Sequence, residues 1–457
     1  MDTMRPCVMK HHVTVMTLSG IIIGIGIGGV LKNYATEPWS EREIMYFQFP
    51  GELFLRIINC LIVPLVVSSI VSATCTLSSS GTIGLTALYY YSTTTALGII
   101  TSVILAQTVK PGEVNRKTHE ADKMIKLEKH FVTVDIFLDL LRNVVPDNLV
   151  NACMMQYHTV LKKPKNTSEV PIYEWPTSYE YTEGTNILGL VFFSILLGLA
   201  IGKMKEDRKP LVNFFHAIFE TTAVLMNKVI IIAPVGVLFL TVGRVLEIED
   251  FSVMMARLGA YVCTVFAGLF IHGLFTLPLL HLICTRRSPY KIIAKLGPAL
   301  ATAFGTSSST ATVPMTIRCL DKIGVDPTIS RFVAPIGATI NMDGIALYES
   351  IGAIFVIQLR GLDFSLMKII SISITCTLSC IGAAGLPSGG YMMLVTVLSS
   401  MGIPAQDVML IIAIDGIVDR FRTTINIIAD ALGTSIIAHF IGRNDGTTRR
   451  SINSVDK

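Results

Sequence analysis

Residues 337–349 read GATINMDGIALYE, a polar interruption inside a strongly apolar part of the chain. A second interruption, DGIVDRFRTTINIIAD, occupies residues 415–430 and carries three aspartates and two arginines. An ionisable side chain at bilayer depth costs roughly 2.5 kcal/mol or more on insertion scales. The two stretches therefore predict a buried polar site, and the sequence on either side of them decides the fold.

The composition is that of a polytopic membrane protein. The chain has 457 residues, of which 51% are hydrophobic and only 15% are charged, against roughly 25% charged residues in soluble domains. The net charge of +4 is spread over short loops, so it indicates orientation and argues against binding of nucleic acid. None of the nine cysteines belongs to a CxxC pair, which argues against a zinc site or a disulfide framework.

Six apolar runs are long enough for membrane spans, since about 20 apolar residues cross the bilayer core as a helix. The run from Val13 lacks a small-residue cleavage site and is expected to be retained. The longest run contains Glu220 and Lys228 and is expected either to extend beyond the bilayer or to bend around Pro234. The runs cover residues 13–31, 57–77, 82–109, 184–202, 210–243 and 258–285.

Charges near the ends of these spans predict the topology, because basic loops stay in the cytoplasm. KMKEDRK at 203–209 and TRRSPYKIIAK at 285–295 each carry four Lys or Arg residues and are expected inside. Counting spans from them places both termini inside and loop 110–183 outside. That loop contains a glycosylation acceptor at Asn166, which agrees with the charge count.

The carboxyl-terminal third follows another pattern. Two Ser/Thr/Gly-rich tips, at 297–314 and 379–390, each precede a span with a polar interruption, at 341–344 and 425–430. Irregular backbone at membrane depth is tolerated only where protein or a cavity surrounds it. The order of hairpin, interrupted helix, hairpin, interrupted helix is expected of secondary transporters built from inverted repeats. The alternative, that Gly and Ser merely let helices pack closely, explains two such pairs poorly.

A helix over residues 415–430, at roughly 100° per residue, places the polar residues on one stripe and Arg420 off it. The members of the stripe are Asp415, Asp419, Arg422, Thr423, Asn426 and Asp430. The structural alternative is a salt bridge between Asp419 and Arg422, three residues apart. That alternative is expected to leave Asp415 and Asp430 without partners.

The other interruption adds Asp343 and Glu349, which a continuous helix could not turn toward one site. A break at 341–344 removes this difficulty and frees carbonyl oxygens. The excess of carboxylates over arginines predicts bound protons or a cation. Unwound carbonyls with a few carboxylates and hydroxyls suit sodium, whereas no calcium-type cluster of acidic residues occurs in the sequence.

The same residues indicate which kind of substrate could bind. The planar fork of Arg422 matches a carboxylate, Asp419 one turn away suits an ammonium, and Asn426 suits a second carboxylate. Together these groups describe an acidic amino acid. A channel is possible, and an intramembrane protease is the enzyme alternative. However, the sequence has no GxGD motif, and a serine protease would have to use Ser307 with a lone His439. A transporter, not an enzyme, is therefore predicted.

These motifs resemble the glutamate/neutral amino acid transporter family, which includes excitatory amino acid transporters and archaeal aspartate transporters. The resemblance rests on SSST (307–310), NMDGIALYE (341–349), GAAGLPSGG (382–390) and DRFRTTINIIAD (419–430). It implies an all-α polytopic fold of eight transmembrane helices and two re-entrant helical hairpins, arranged as inverted repeats. It also implies a plasma-membrane homotrimer, embedded in lipid, that moves amino acids by an elevator mechanism without an organic cofactor.

The resemblance divides the chain into a static scaffold and a moving transport domain. The scaffold is expected at 1–81 and 184–243, the transport domain at 82–109 and 256–440, the extracellular loop at 110–183 and the cytoplasmic tail at 441–457.

The resemblance also implies ligand residues. The substrate is expected at Ser307, Ser309, Asp419, Arg422, Thr423, Asn426, Gly385 and Leu386. One sodium site is expected at Gly337, Asn341, Asn426 and Asp430, and a second at Tyr90, Thr93, Thr94, Asn341 and Asp343. A third is expected at the backbone of Thr339, Met342, Cys380 and Ile381, together with Ala383.

Arg422 and Glu349 indicate the acidic subclass, because neutral amino acid exchangers of the family lack both. Glu349 resembles a proton-carrying glutamate, which implies co-transport of H⁺ and counter-transport of K⁺. A neutral amino acid exchanger or a dicarboxylate transporter of the same fold are the alternatives.

The sequence departs from its relatives at three positions. Ile345 replaces a threonine whose hydroxyl touches the substrate, and one lost hydrogen bond to a charged group weakens binding by roughly 1.5–3 kcal/mol. Gly416 replaces a tryptophan beside the site. Cys380 replaces a serine, but its ligand group is a backbone carbonyl, so little is expected to change.

Overall fold

The helices of the protein follow the apolar runs of its sequence. The computed structural model describes residues 4–35, 39–78, 81–114, 133–161, 177–204, 208–247, 251–362, 365–383, 389–401, 403 and 409–444. The amino-terminal helices are α1 (Met4–Tyr34), α2 (Glu41–Ser78) and α3 (Gly81–Val109), with a 3₁₀ turn at Pro111–Glu113. They contain the first three predicted spans, and α2 extends well before its predicted start.

The loop before the fourth span carries a small folded unit. It contains α4 (Thr133–Val144), α5 (Leu149–Ala152) and the antiparallel strands β1 (Met155–Leu161) and β2 (Thr177–Glu183). The sequence did not predict this hairpin, which stacks the rings of Tyr157 and Tyr179 at 5.9 Å. Asn166, the predicted glycosylation acceptor, lies outside the described residues.

The middle of the chain adds helices α6 to α10. They are α6 (Ile187–Lys203), α7 (Arg208–Ile231), α8 (Ala233–Glu247), α9 (Phe251–Ile271) and α10 (Leu277–Thr285). The break between α7 and α8 falls just before Pro234, as predicted, because proline removes a backbone donor. A π-helical turn at His272–Thr276 joins α9 to α10.

The carboxyl-terminal third contains the predicted short and broken helices. They are α11 (Pro289–Lys295), α12 (Gly297–Thr306), α13 (Ser309–Ile323), α14 (Pro327–Ile340), α15 (Asp343–Arg360), α16 (Leu366–Gly382), α17 (Gly389–Ser400) and α18 (Met409–Asn444). The turn between α12 and α13 is the first predicted tip, and the break at 341–344 separates α14 from α15.

One prediction in this region is wrong. Residues 425–430 do not interrupt their span, because α18 runs as one helix through the whole stretch. The polar side chains there are bonded across to α14 and α15: Asn341 donates to Asp430, and the Gly344 N–H donates to Asn426. Since side chains of α18 meet these partners, its own backbone ladder can stay intact.

Seven of the described segments are long and apolar enough to cross a membrane, and Leu188–Lys203 and Leu366–Ile381 are shorter apolar helices. The protein is therefore an α-helical, multi-pass membrane protein. The most apolar stretch of the broken helix Pro327–Arg360 is completely buried, whereas only 17% of the most apolar stretch of Arg208–Ile231 is buried. The broken helix thus lies at the centre of the bundle.

The helices pack in two groups. Helices α1 and α2 pack against α6, α7 and α8, while α3 packs against α15 and α18. Helices α9, α16 and α17 also contact α15, and α12, α13 and α14 contact α18. The two polar segments of the sequence are therefore neighbours at the centre of the second group.

Replacing Gly433 with alanine should destabilise the second group, because a Cβ at this position of α18 would overlap the ring of Tyr90 on α3. Overpacking of this kind costs about 1–3 kcal/mol. The measurement is the melting temperature of the purified protein in detergent. Gly259→Ala is the control, since a Cβ there meets no atom within 4 Å; equal melting temperatures for the two variants would contradict this packing.

Candidate substrate and ion site

The stripe on α18 is the core of the site. Its six members are each 4% exposed or less: Asp415, Asp419, Arg422, Thr423, Asn426 and Asp430. Arg420, which projects from another side of the helix, donates to the carbonyl of Phe304 on α12 at 2.9 Å. Arg420 therefore fastens the first hairpin to α18, while the stripe faces the interior.

Arg422 is the one cation among these carboxylates. Its Nη2 donates to Asp419 Oδ1 at 2.8 Å and lies 2.9 Å from Asp415 Oδ1. The expectation that Asp415 lacks a partner was therefore wrong, because Asp415 lies two turns before Arg422 on the same face. Within the described ranges, however, Nε and Nη1 of this buried guanidinium have no hydrogen-bond partner. Leaving buried charged donors unpaired is costly, so the geometry suits an additional anion.

Two groups hold the guanidinium plane in place. The Tyr348 ring lies under it, with Arg422 Cζ 4.1 Å from the ring centroid, a favourable cation–π geometry. On α17, the Gly390 backbone approaches so closely that a Cβ would overlap Nη1. Arg422 is thus held in its orientation by α15 and by α17, the helix that follows the second predicted tip. Gly385 and Leu386, also predicted at this site, lie outside the described residues.

The first hairpin brings its tip to the same helix. Ser307 ends α12 in the left-handed conformation, with φ 49°, and Ser308 caps α13 by accepting from the Ala311 N–H at 3.2 Å. Ser309 follows and is 2% exposed. Because α12 and α13 both pack on α18, the two predicted substrate residues Ser307 and Ser309 lie on elements that contact the Arg422 helix.

The break between α14 and α15 holds the first set of predicted sodium ligands. Asn341 Nδ2 donates to Asp430 Oδ1 at 3.0 Å, and Gly344 N donates to Asn426 Oδ1 at 2.8 Å. A side chain at Gly337 would overlap the Asp430 carboxylate, so α14 approaches α18 through this glycine. The structure therefore brings Gly337, Asn341, Asn426 and Asp430 together. Asp430 Oδ2 has no donor among the described residues, which suits a cation.

The second predicted set is only partly assembled. Thr94 on α3 donates to Asn341 Oδ1 at 3.1 Å, and Tyr90 is buried but donates to the Ala429 carbonyl at 2.8 Å. Thr93 is exposed and donates to the Tyr89 carbonyl of its own helix, so the structure does not bring it to Asp343.

Thr95 is the residue that sequence reasoning missed in this set. It is buried and donates to Asp343 Oδ1 at 2.9 Å. Tyr91, Thr94 and Thr95 share the buried face of α3, with the i, i+3, i+4 spacing of one helix face. That periodicity was the available signal, and it places Thr95 rather than Thr93 beside Asp343.

His272 is a second missed neighbour of this cluster. It lies in the π turn after α9, is fully buried, and its Nε2 is 3.4 Å from Asp343 Oδ2. The available signal was a histidine within an otherwise apolar span, although such a residue is more often packed than functional. Asp343 is thus contacted from α3 and from the α9–α10 turn.

The third predicted sodium set lies where helices end. Met342, Cys380 and Ala383 are each 1% exposed or less, and Ile381 is half-buried. The Cys380 carbonyl accepts from Ala383 N at 3.3 Å, and the Thr339 hydroxyl bonds within α14. Since α16 packs against both α14 and α15, the members of this set lie on neighbouring elements.

Glu349 lies further along α15 and is fully buried. Both of its carboxyl oxygens lack a hydrogen-bond partner in the described part of the chain. Ile345, one turn earlier, is 4% exposed. An unpaired buried carboxyl group favours its neutral, protonated form or a bound cation, which is the chemistry expected of a proton carrier.

A broken central helix, a helical hairpin and a buried group of carboxylates around one arginine are features expected of a secondary transporter. Residues 13–440 match the sodium:dicarboxylate symporter family, and the chain belongs to this family. It is a symporter family, so coupling to sodium follows from membership.

The chain is similar to several excitatory amino acid transporters. It is 41% identical to excitatory amino acid transporter 3 of Mus musculus over 455 residues, which cover 95% of this chain and 86% of the relative. It is 40% identical to excitatory amino acid transporter 3 of Homo sapiens over 94% of this chain and 85% of the relative. Identity to excitatory amino acid transporter 1 of Ambystoma tigrinum is 39%, over 96% and 84%.

Replacing Thr95 with alanine should raise the sodium concentration for half-maximal activity about tenfold, because it removes a hydrogen bond to the charged Asp343. The measurement is the sodium dependence of transport in proteoliposomes. Thr93→Ala is the matched control and should leave that concentration unchanged, since the Thr93 hydroxyl donates to the Tyr89 carbonyl of its own helix. A larger effect at Thr93 than at Thr95 would restore the original assignment.

Proposed function

We propose that the protein is a sodium-coupled secondary active transporter of acidic amino acids, namely L-glutamate and L- or D-aspartate. The observation that carries the proposal is Arg422, a fully buried guanidinium with two unpartnered nitrogens in the described part of the chain. A substrate's side-chain carboxylate would accept hydrogen bonds from these free donors of the guanidinium. The relatives named excitatory amino acid transporters support this substrate class.

The remaining substrate groups follow from the same helix. Asp419 would take the ammonium group, and Asn426 the main-chain carboxylate. Thr423, Ser309 and the Ser307 carbonyl would complete the pocket, with Gly385 and Leu386 covering it from the second hairpin. Asp419 also accepts a hydrogen bond from Arg422 at 2.8 Å. This pair would therefore bind both the ammonium group and the side-chain carboxylate of the substrate.

The resemblance to the family implies that Ile345 brings a hydrocarbon side chain where relatives that take acidic substrates usually have a threonine hydroxyl. One missing hydrogen bond to a carboxylate lowers affinity by roughly 1.5–3 kcal/mol. This difference gives some weight to the second candidate, a sodium-dependent neutral amino acid exchanger or a dicarboxylate transporter. Arg422 and Glu349 favour the acidic substrate.

Sodium would be carried at three places around the broken helix. The first uses Gly337, Asn341, Asn426 and Asp430, and the second Asn341 and Asp343 with hydroxyls of α3. The third uses carbonyls at Thr339, Met342, Cys380 and Ile381, with Ala383. Carboxylates, amides and free carbonyls are suitable oxygen ligands for a hard cation. Asn341 would belong to two sodium sites, and Asn426 to one sodium site and to the substrate pocket. Ions and substrate would therefore bind cooperatively.

Glu349 would carry the proton and allow counter-transport of potassium. It is buried without a hydrogen-bond partner among the described residues, so it would be neutral with bound substrate and ionised only when a cation replaces the proton. This exchange would couple the outward and inward halves of the cycle.

The transport domain would comprise 82–109 and 256–440 and would move past a scaffold of 1–81 and 184–243 in an elevator motion. The two packing groups of helices support this division. The exposed apolar side chains of α7, including Phe214 and Leu225, suit contacts in a homotrimer or with lipid. In the plasma membrane both termini would be cytoplasmic, and loop 110–183 with a glycosylated Asn166 would be outside.

Sodium-dependent uptake of radiolabelled L-glutamate or D-aspartate into transfected cells is expected above the background of untransfected cells, and choline in place of sodium should abolish it. Arg422→Cys should lose acidic substrates and favour neutral ones such as L-serine, because the carboxylate partner is gone. Arg331→Cys is the control, as that side chain is 67% exposed.

The substrate class would be wrong if uptake stayed at background while the protein was present at the cell surface. Unchanged aspartate affinity in Arg422→Cys would show that Arg422 does not bind the side-chain carboxylate.

Replacing Glu349 with glutamine should leave sodium-dependent exchange of labelled for unlabelled aspartate intact and abolish net uptake driven by internal potassium. An amide cannot cycle between a neutral and an ionised form. Both fluxes are measured in proteoliposomes, with Glu52→Gln as a control on an exposed position. Net, potassium-dependent uptake by Glu349→Gln would exclude this role.

A further inference from the structure

Asp415 is surrounded by tyrosines from three helices. Tyr261 of α9, Tyr348 of α15 and Tyr391 of α17 are each 4% exposed or less, and each lies within electrostatic range of the Asp415 carboxylate. In the part of the chain that the structure describes, none of the three hydroxyls makes a hydrogen bond of normal geometry. Buried hydroxyls are nearly always bonded, so three such groups around one carboxylate require an explanation.

Arg422 supplies the reason. Asp415 Oδ1 lies 2.9 Å from Arg422 Nη2, and Asp419 Oδ1 lies 2.8 Å from the same nitrogen, so the two carboxylates share one donor atom. A substrate carboxylate on this guanidinium would bring a third negative charge to it. Like charges at such distances repel strongly in a buried site, so Asp415 would need other donors to remain ionised.

We propose that Tyr261, Tyr348 and Tyr391 form a receiving site for Asp415. When the side-chain carboxylate of an acidic substrate engages Arg422, the Asp415 carboxylate turns away and accepts hydrogen bonds from these hydroxyls. This inference rests on the proposed function and extends it, because it assigns specificity-determining residues that do not themselves touch the substrate.

The tyrosine rings are already held for this role. The Tyr348 ring packs under Arg422, and the Tyr261 ring contacts it with centroids 6.4 Å apart. Tyr261 also packs on Phe355 at 4.9 Å. Because these rings are fixed, the short Asp415 side chain is the part that moves.

Tyr391 links this switch to the second hairpin. It follows Gly390, whose backbone lies against the guanidinium, so α17 contacts both Arg422 and the receiving site. An acidic substrate therefore strengthens the attachment of α17 to the core through Asp415. A neutral substrate leaves Asp415 on Arg422 and gains nothing from the hydroxyls.

The test is the dissociation constant for L-aspartate of the purified protein in saturating sodium, measured by calorimetry. Tyr391→Phe and Tyr261→Phe keep the rings and remove one hydroxyl each, and each should raise the constant about tenfold, as expected for a hydrogen bond to a charged group. Sodium affinity in the absence of amino acid should not change. Tyr179→Phe, on the exposed hairpin, is the control for loss of a tyrosine hydroxyl.

A second background separates positioning from general damage. In Asp415→Asn no charge has to be received, so adding both Tyr→Phe changes should raise the constant less than about threefold. An unchanged constant in the double Tyr→Phe variant, or an equal loss with and without Asp415→Asn, would overturn the inference. An equal loss of sodium affinity would also overturn it. If the unmodified protein binds no L-aspartate, the proposed function fails and this inference fails with it.

Discussion

The architecture depends on keeping one guanidinium buried inside a membrane protein. Arg422 is fully buried, and such a cation is tolerated only with anions close by. Asp415 and Asp419 supply them from the same helix, at 2.9 and 2.8 Å, and Tyr348 supplies a ring face. These groups neutralise the charge without using all of its donors. Among the described residues, two nitrogens of this cation have no hydrogen-bond partner, and a carboxylate ligand is the group that would supply one.

The broken helix makes the rest of the site possible. The break between α14 and α15 lets Asn341 and Gly344 bond to Asp430 and Asn426 on the neighbouring α18. These bonds place one helix end against the stripe that carries Arg422. In the proposed cycle, sodium ions and substrate therefore share both a helix and individual amides, so binding of one would favour binding of the other. Coupling between sodium binding and substrate binding would arise from these shared ligands.

The helix period and the residue chemistry were enough to predict the stripe on α18, the break at 341–344 and the tip at Ser307. They did not determine which face of α3 is buried. Three consecutive threonines, 93 to 95, carry the same chemistry, and only the packing of α3 against α15 selects the last two. The supposed interruption at 425–430 was misread because its polar groups find partners across the interface. The salt-bridge alternative was expected to leave Asp415 unpaired, but the long Arg422 side chain also reaches Asp415, two turns away on the same helix.

The most direct measurement of the central claim is an experimental structure with sodium and L-aspartate bound. The account predicts that the side-chain carboxylate of the substrate lies within hydrogen-bond distance of two Arg422 nitrogens, with its ammonium group on Asp419. A substrate whose side-chain carboxylate binds elsewhere, with Arg422 still contacting only Asp415 and Asp419, would contradict it.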